Sequence, residues 1–134
     1  MPDGPKIFRL EKTVTVPVVV IRPMVPGPDG AMWFTNYTPA APVGTIGRIT
    51  TTGTVTVFSS PKIFGPSGIT SGPDGALWFT NYAGDTIGRI TTSGAVTTYT
   101  TPYTLSSVQS IAPGPAGTLW FTGLSAVIGK VSGI

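Results

Sequence analysis

The chain contains no cysteine and no histidine. Without cysteine there are no disulfide staples, thiolate metal ligands or cysteine nucleophile. Without histidine it lacks the side chain that most often exchanges protons near neutrality, and no serine triad can be assembled. Charge is also scarce: 10% of residues carry it, and Glu11 is the one glutamate among five acids. The eight basic residues are scattered singly and leave a net charge of +3. That pattern cannot neutralise a run of phosphates, so nucleic acid is not an expected partner.

Long apolar runs are missing too. The most apolar stretch, residues 14–25, is interrupted by Pro17, Arg22 and Pro23 and falls short of the ~20 residues that span a bilayer. No membrane partner is expected, and the stretch reads as a strand. Met1-Pro2-Asp3-Gly4 shows no basic region leading into an apolar core. No secretory signal is therefore expected, and the cytoplasm is the default compartment.

What the chain does hold is turn and strand chemistry. Among 134 residues are 18 glycines and 14 prolines, with threonine in runs such as Thr50-Thr51-Thr52. Glycine and proline punctuate, while β-branched residues suit a pleated surface.

The strongest signal is internal repetition. Gly27-Pro28-Asp29-Gly30-Ala31-Met32-Trp33-Phe34-Thr35-Asn36-Tyr37 returns at residues 72–82 with Leu77 in place of Met32. A weaker third copy runs from Gly114 through Trp120-Phe121-Thr122. Each copy is followed by a second block: Ile46-Gly47-Arg48-Ile49-Thr50, then Ile87-Gly88-Arg89-Ile90-Thr91, then Ile128-Gly129-Lys130-Val131-Ser132. These second blocks recur every 41 residues, while the tryptophans are 45 and 42 apart.

Within the second repeat the pattern predicts four strands: 68–71, 76–82, 86–91 and 95–100, separated by Pro73-Asp74-Gly75, Ala83-Gly84-Asp85 and Ser93-Gly94. Leu77 and Phe79 fall on one face and Trp78 and Thr80 on the other, so both faces need cover. The first repeat has four extra residues between Tyr37 and Ile46, including Pro39 and Pro42, and a longer loop is expected there.

The expected fold is all-β, with about three four-stranded antiparallel β-propeller blades. It forms a single repeat domain over 1–134, with repeats near 22–61, 66–102 and 108–134 and residues 12–21 as a closing outer strand. Closed propellers have about four to eight blades. Two partners would complete the ring: a second copy giving a six-bladed dimer, or the missing blades of a longer chain.

The pairing of Gly-Pro-Asp-Gly-x-x-Trp-Phe-Thr with Ile-Gly-Arg-Ile-Thr resembles the repeats of the streptogramin B lyase (virginiamycin B lyase) family over about residues 24–134. The resemblance implies propeller enzymes that open a cyclic depsipeptide antibiotic by elimination at its ester linkage, using histidine, glutamate and magnesium. Many relatives carry an acid after Trp-Phe-Thr, where this chain has Asn36, Asn81 and Gly123. No catalytic residue carries over from the family, and no cofactor is expected, magnesium entering only with lyase-like chemistry.

Candidate ligand-binding residues follow from the repeat. Arg48, Arg89 and Lys130 hold equivalent positions and would form a ring of cations for an acidic ligand, or else hydrogen-bond a turn aspartate or a neighbouring carbonyl. Asn36-Tyr37 and Asn81-Tyr82 end equivalent strands and would place amide and phenol groups at a loop surface. Asp29 and Asp74 read as turn caps, Asp85 as a turn residue, and Trp33, Trp78 and Trp120 as packing between blades.

The functional expectation is a non-catalytic propeller module that binds a protein, peptide or small ligand. The alternative is a lyase-like enzyme complete only as an oligomer or a longer chain.

Overall fold

The computed structural model describes residues 24–38, 41–100, 107–124 and 126–134. The closing strand expected over residues 12–21 lies outside the described residues. Among the described residues eleven strands follow one another: β1 Val25–Pro26, β2 Met32–Thr38, β3 Ala41–Ile49, β4 Val55–Phe64, β5 Pro66–Ser71, β6 Leu77–Asn81, β7 Thr86–Ile90, β8 Val96–Thr100, β9 Val108–Pro113, β10 Leu119–Gly123 and β11 Val127–Val131. A 3-10 turn, Pro115–Gly117, leads into β10.

The strands form three antiparallel sheets, β1-β2-β3-β4, β5-β6-β7-β8 and β9-β10-β11. Each is a meander in chain order, the expected blade architecture. The stretch between Tyr37 and Ile46 departs from expectation. It is mostly strand, because β3 starts at Ala41, and an irregularity in its pairing with β2 between Asn36 and Thr38 takes up surplus β3 residues.

Both repeated blocks have a steric explanation. In the second sheet Phe79 pairs with Gly88, and a Cβ at Gly88 would overlap the Phe79 ring. Phe34 over Gly47 and Phe121 over Gly129 repeat the arrangement. The glycine of Ile-Gly-Arg is thus a seat for the phenylalanine of Trp-Phe-Thr on the next strand. The first glycine of Gly-Pro-Asp-Gly likewise lies beneath its own tryptophan, at Gly27, Gly72 and Gly114.

The sheets stack face to face. The Trp33 face of the first meets the Leu77 and Phe79 face of the second, in a cluster with Ile46, Ile63, Ile69 and Ile90. The Trp78 face of the second meets Leu119 and Phe121 of the third, with Ile87, Val108 and Ile111. Each indole also stacks within its own sheet, Trp33 on Phe58 at 5.5 Å and Trp78 on Tyr99 at 5.4 Å.

Threonine completes each seam. The Thr35 hydroxyl donates to the Ser67 carbonyl at 2.8 Å, and the Thr80 hydroxyl donates to the Gln109 carbonyl at 3.2 Å.

Expected burial of the three tryptophans is met by Trp33 and Trp78 and not by Trp120, which is 41% exposed. The physical reason is position. Trp120 lies on the outer face of the third sheet, and no described strand packs there.

Candidate functional site

The turn aspartates are heavily engaged, each accepting three hydrogen bonds. Asp29 Oδ1 accepts from the Trp33 indole at 3.0 Å and from the Ala31 amide at 3.3 Å. Its Oδ2 accepts from Arg48 Nε at 2.6 Å. Asp74 repeats every contact with Trp78, Ala76 and Arg89, the last at 2.7 Å.

Partial burial pushes the Asp29 carboxyl up, but the hydrogen bonds from Trp33, Arg48 and Ala31 and the Arg48 charge outweigh it and hold the group below its usual range. At Asp74 burial likewise raises the carboxyl. Arg89, Trp78 and Ala76, with the Arg89 charge, carry it below.

Two members of the expected cation ring are therefore held by a carboxylate of their own sheet. Arg48 also lies 6.0 Å from the centre of the Trp33 ring. Lys130 differs. Ala116 stands where Asp29 and Asp74 stand in the other repeats, and the Lys130 ammonium sits 5.8 Å from the Trp120 ring. Thr118 takes over the indole, accepting from Trp120 Nε1 at 3.1 Å.

The asparagines belong to the scaffold. Asn81 is 1% exposed. Its amide donates to the Lys62 carbonyl and the Thr86 hydroxyl at 2.8 and 2.9 Å, while its carbonyl accepts from the Phe64 amide at 3.0 Å. It thereby ties the approach from β4 into β5 to the second blade. Asn36, also buried, donates to the Thr45 hydroxyl at 2.9 Å.

Tyr37 and Tyr82 are brought together. Their ring centres are 6.5 Å apart with planes tilted by 40°, Tyr37 buried and Tyr82 half-buried beside it, so adjacent blades contribute one phenol each to the contact. Both residues were legible in the repeat, but their meeting depends on how the blades stack. Beyond Tyr82, Asp85 accepts from the Ser107 amide at 2.6 Å.

A cleft of about 290 Å³ was not anticipated. It opens between the second and third blades and is lined by Trp78, Tyr99, Phe121, Lys130 and Val131, among others. It arises because the third sheet has no described strand beyond β11.

The sequence profile of the Virginiamycin B lyase family matches residues 3–133. The chain belongs to that family. Among solved structures it is similar to a streptogramin B lyase, with 36% identity and a TM-score of 0.67, over 80% of this chain and 38% of that one. It is similar to a virginiamycin B lyase from Staphylococcus aureus at 35% identity and TM-score 0.67, over 83% of this chain and 40% of that one. A catalytically inactive virginiamycin B lyase from the same organism, with quinupristin, matches at 28% identity and TM-score 0.59, covering 88% and 57%. No match was found among curated proteins.

The fold is that of propeller blades, and the chain spans only about two fifths of the first two lyases. Among the described residues no three of His, Cys, Asp and Glu come together to hold a metal ion. The magnesium that the family resemblance brings with it has no fitting donor set there. No described helix is long and apolar enough to cross a membrane.

Proposed function

We propose that this chain is a non-catalytic propeller module of the virginiamycin B lyase family. Its ligand contacts come from the rim where Tyr37 and Tyr82 meet. The observation that carries this reading is the commitment of the acids: Asp29, Asp74 and Asp85, the described carboxylates, each accept hydrogen bonds that build the scaffold. Elimination needs a base free to take a proton. Half-buried Tyr82, backed by the buried Tyr37 of the adjacent blade, by contrast offers an apolar face and a polar tip suited to a peptide or a small cyclic ligand.

A second reading, a lyase completed by an assembly or a longer chain, is favoured by the 36% identity to a streptogramin B lyase. One fold hosts many functions, so the site has to decide.

Titration with a streptogramin B depsipeptide separates the two, with tryptophan fluorescence reporting binding and mass spectrometry reporting ring opening. Saturable binding that weakens in Tyr37→Ala and Tyr82→Ala, with the ring intact, is expected. Ring opening that is abolished in Asp85→Asn overturns the binding-module reading in favour of the lyase.

A further inference from the structure

Asp29-Gly30 and Asp74-Gly75 sit at equivalent turns, and both residues of each pair are exposed. Neither position takes another residue freely. Gly30 and Gly75 have φ of 80° and 79°, a left-handed conformation that favours glycine, while Asp29 and Asp74 cap the turn by accepting from the Ala31 and Ala76 amides. Aspartate followed by glycine is also the pair at which a backbone isomerises most readily, because glycine puts no side chain in the way of ring closure. The space beside both glycines is open, with nothing within 4 Å of where a Cβ would stand.

The reaction needs water and no oxidant or reductant. The Gly30 nitrogen attacks Asp29 Cγ, a nitrogen–Cγ bond forms, and one carboxyl oxygen leaves as water with the amide proton and a proton from solvent. Water then opens the cyclic imide and a proton returns to solvent. Breaking the nitrogen–Cγ bond restores aspartate. Breaking the bond between that nitrogen and the Asp29 main-chain carbonyl carbon leaves isoaspartate, with the chain running through Cβ and Cγ.

The fold sets a lock on the first step. Cγ is open to attack only when the carboxyl turns and one oxygen is free to leave, and both oxygens are held. Asp29 Oδ1 accepts from the Trp33 indole at 3.0 Å and Oδ2 from Arg48 Nε at 2.6 Å, and Asp74 is held alike by Trp78 at 3.0 Å and Arg89 at 2.7 Å. The arginine bond joins two charged groups, which makes it the strongest of the set. The carboxylate also has no slack on its other side, since a Cβ at Gly27 or Gly72 would come within 2.9 or 2.8 Å of its Oδ1. The third blade has neither part of the pair. Ala116 precedes Gly117, which keeps its left-handed φ of 69°, and Lys130 at the arginine position lies over Trp120 instead.

We propose that Asp29-Gly30 and Asp74-Gly75 are isoaspartate-forming sites, and that Arg48 and Arg89 keep them closed in the folded chain. Isomerisation lengthens the backbone of the turn by one carbon and takes the carboxylate away from guanidinium and indole together. Damage at either turn therefore loosens the tryptophan that fills the seam beside it.

The test ages the native protein, Arg48→Ala and Arg89→Ala side by side at neutral pH, with the native chain in urea as the unlocked reference. Peptide mapping with electron-transfer fragmentation counts isoaspartate at each turn and detects the imide as a species lighter by one water. In the native protein both turns should react more slowly than in urea. Arg48→Ala should speed the reaction at Asp29 and leave Asp74 unchanged, and Arg89→Ala should do the reverse, each by about two- to fivefold, as for release of a largely exposed ion pair. The untouched turn in each variant shows whether the fold has held, so local release and general loosening are told apart within one molecule. Native rates equal to those in urea, an unchanged or slower reaction when the arginine is removed, or a rise at both turns of a variant each overturns the proposal.

Discussion

Arg89 Nε donates to Asp74 at 2.7 Å while the same carboxylate accepts from the Trp78 indole at 3.0 Å. One turn residue thus joins two strands and orients the ring that fills the next blade seam. Asp29 does the same for Arg48 and Trp33.

These contacts predict acid sensitivity. Both carboxyls titrate below their ordinary value of 3.8 when folded. Between the folded and unfolded values the folded chain binds fewer protons, so the stabilisation is fully present above the unfolded value and is lost as pH falls through the folded one. Melting temperature should fall below about pH 4, and the Asp29→Asn/Asp74→Asn variant should show a flatter fall. Identical slopes in the two proteins would remove these pairs as the cause.

Gly88 gives a steric prediction. A Cβ there enters the Phe79 ring, so Gly88→Ala should cost about 1–3 kcal/mol through overpacking. Gly84→Ala is the control, since its nearest neighbours would be at 3.4 Å and beyond, and should change stability by less than about 0.5 kcal/mol. Urea unfolding of both variants checks the difference. Equal effects would mean that phenylalanine does not need its glycine seat.

Much of this was legible in the sequence because strand repeats are local. The spacing of Trp-Phe-Thr and Ile-Gly-Arg sets the order and pairing of β6 and β7 without knowledge of the rest of the chain. The turn role of Asp74 was also readable, since an aspartate in Pro-Asp-Gly caps nearby amides. Two features were not. The burial of Asn81 depends on Lys62 and Phe64, some 17 to 19 residues away across a blade boundary, and no local pattern announces such a contact. The exposure of Trp120 depends on what covers the third blade, while its sequence context matches that of two buried indoles.

Asn81 itself offers a charge test. Asn81→Asp removes both donors facing the Lys62 carbonyl and the Thr86 hydroxyl and sets a carboxylate in a buried site. The cost should be about 1–3 kcal/mol at neutral pH. Burial raises that carboxyl when folded, so the loss should shrink as pH falls toward the unfolded value and the group protonates. Urea midpoints for the wild type and variant at pH 5 and pH 8 measure this. A variant equally stable at both would show that the side chain has turned out to solvent.

Two tryptophans of the same repeat should respond differently to the same deletion. Trp78 is 4% exposed, stacks on Tyr99 and packs against Leu119 and Phe121, so Trp78→Ala should cost about 3–5 kcal/mol at any protein concentration. Trp120 is 41% exposed on a face that no described strand covers. Trp120→Ala should therefore cost less than a third as much, because little apolar surface returns to water. Urea unfolding curves for both variants measure the difference. A Trp120→Ala effect as large as that of Trp78→Ala would mean that this indole is buried in the folded protein.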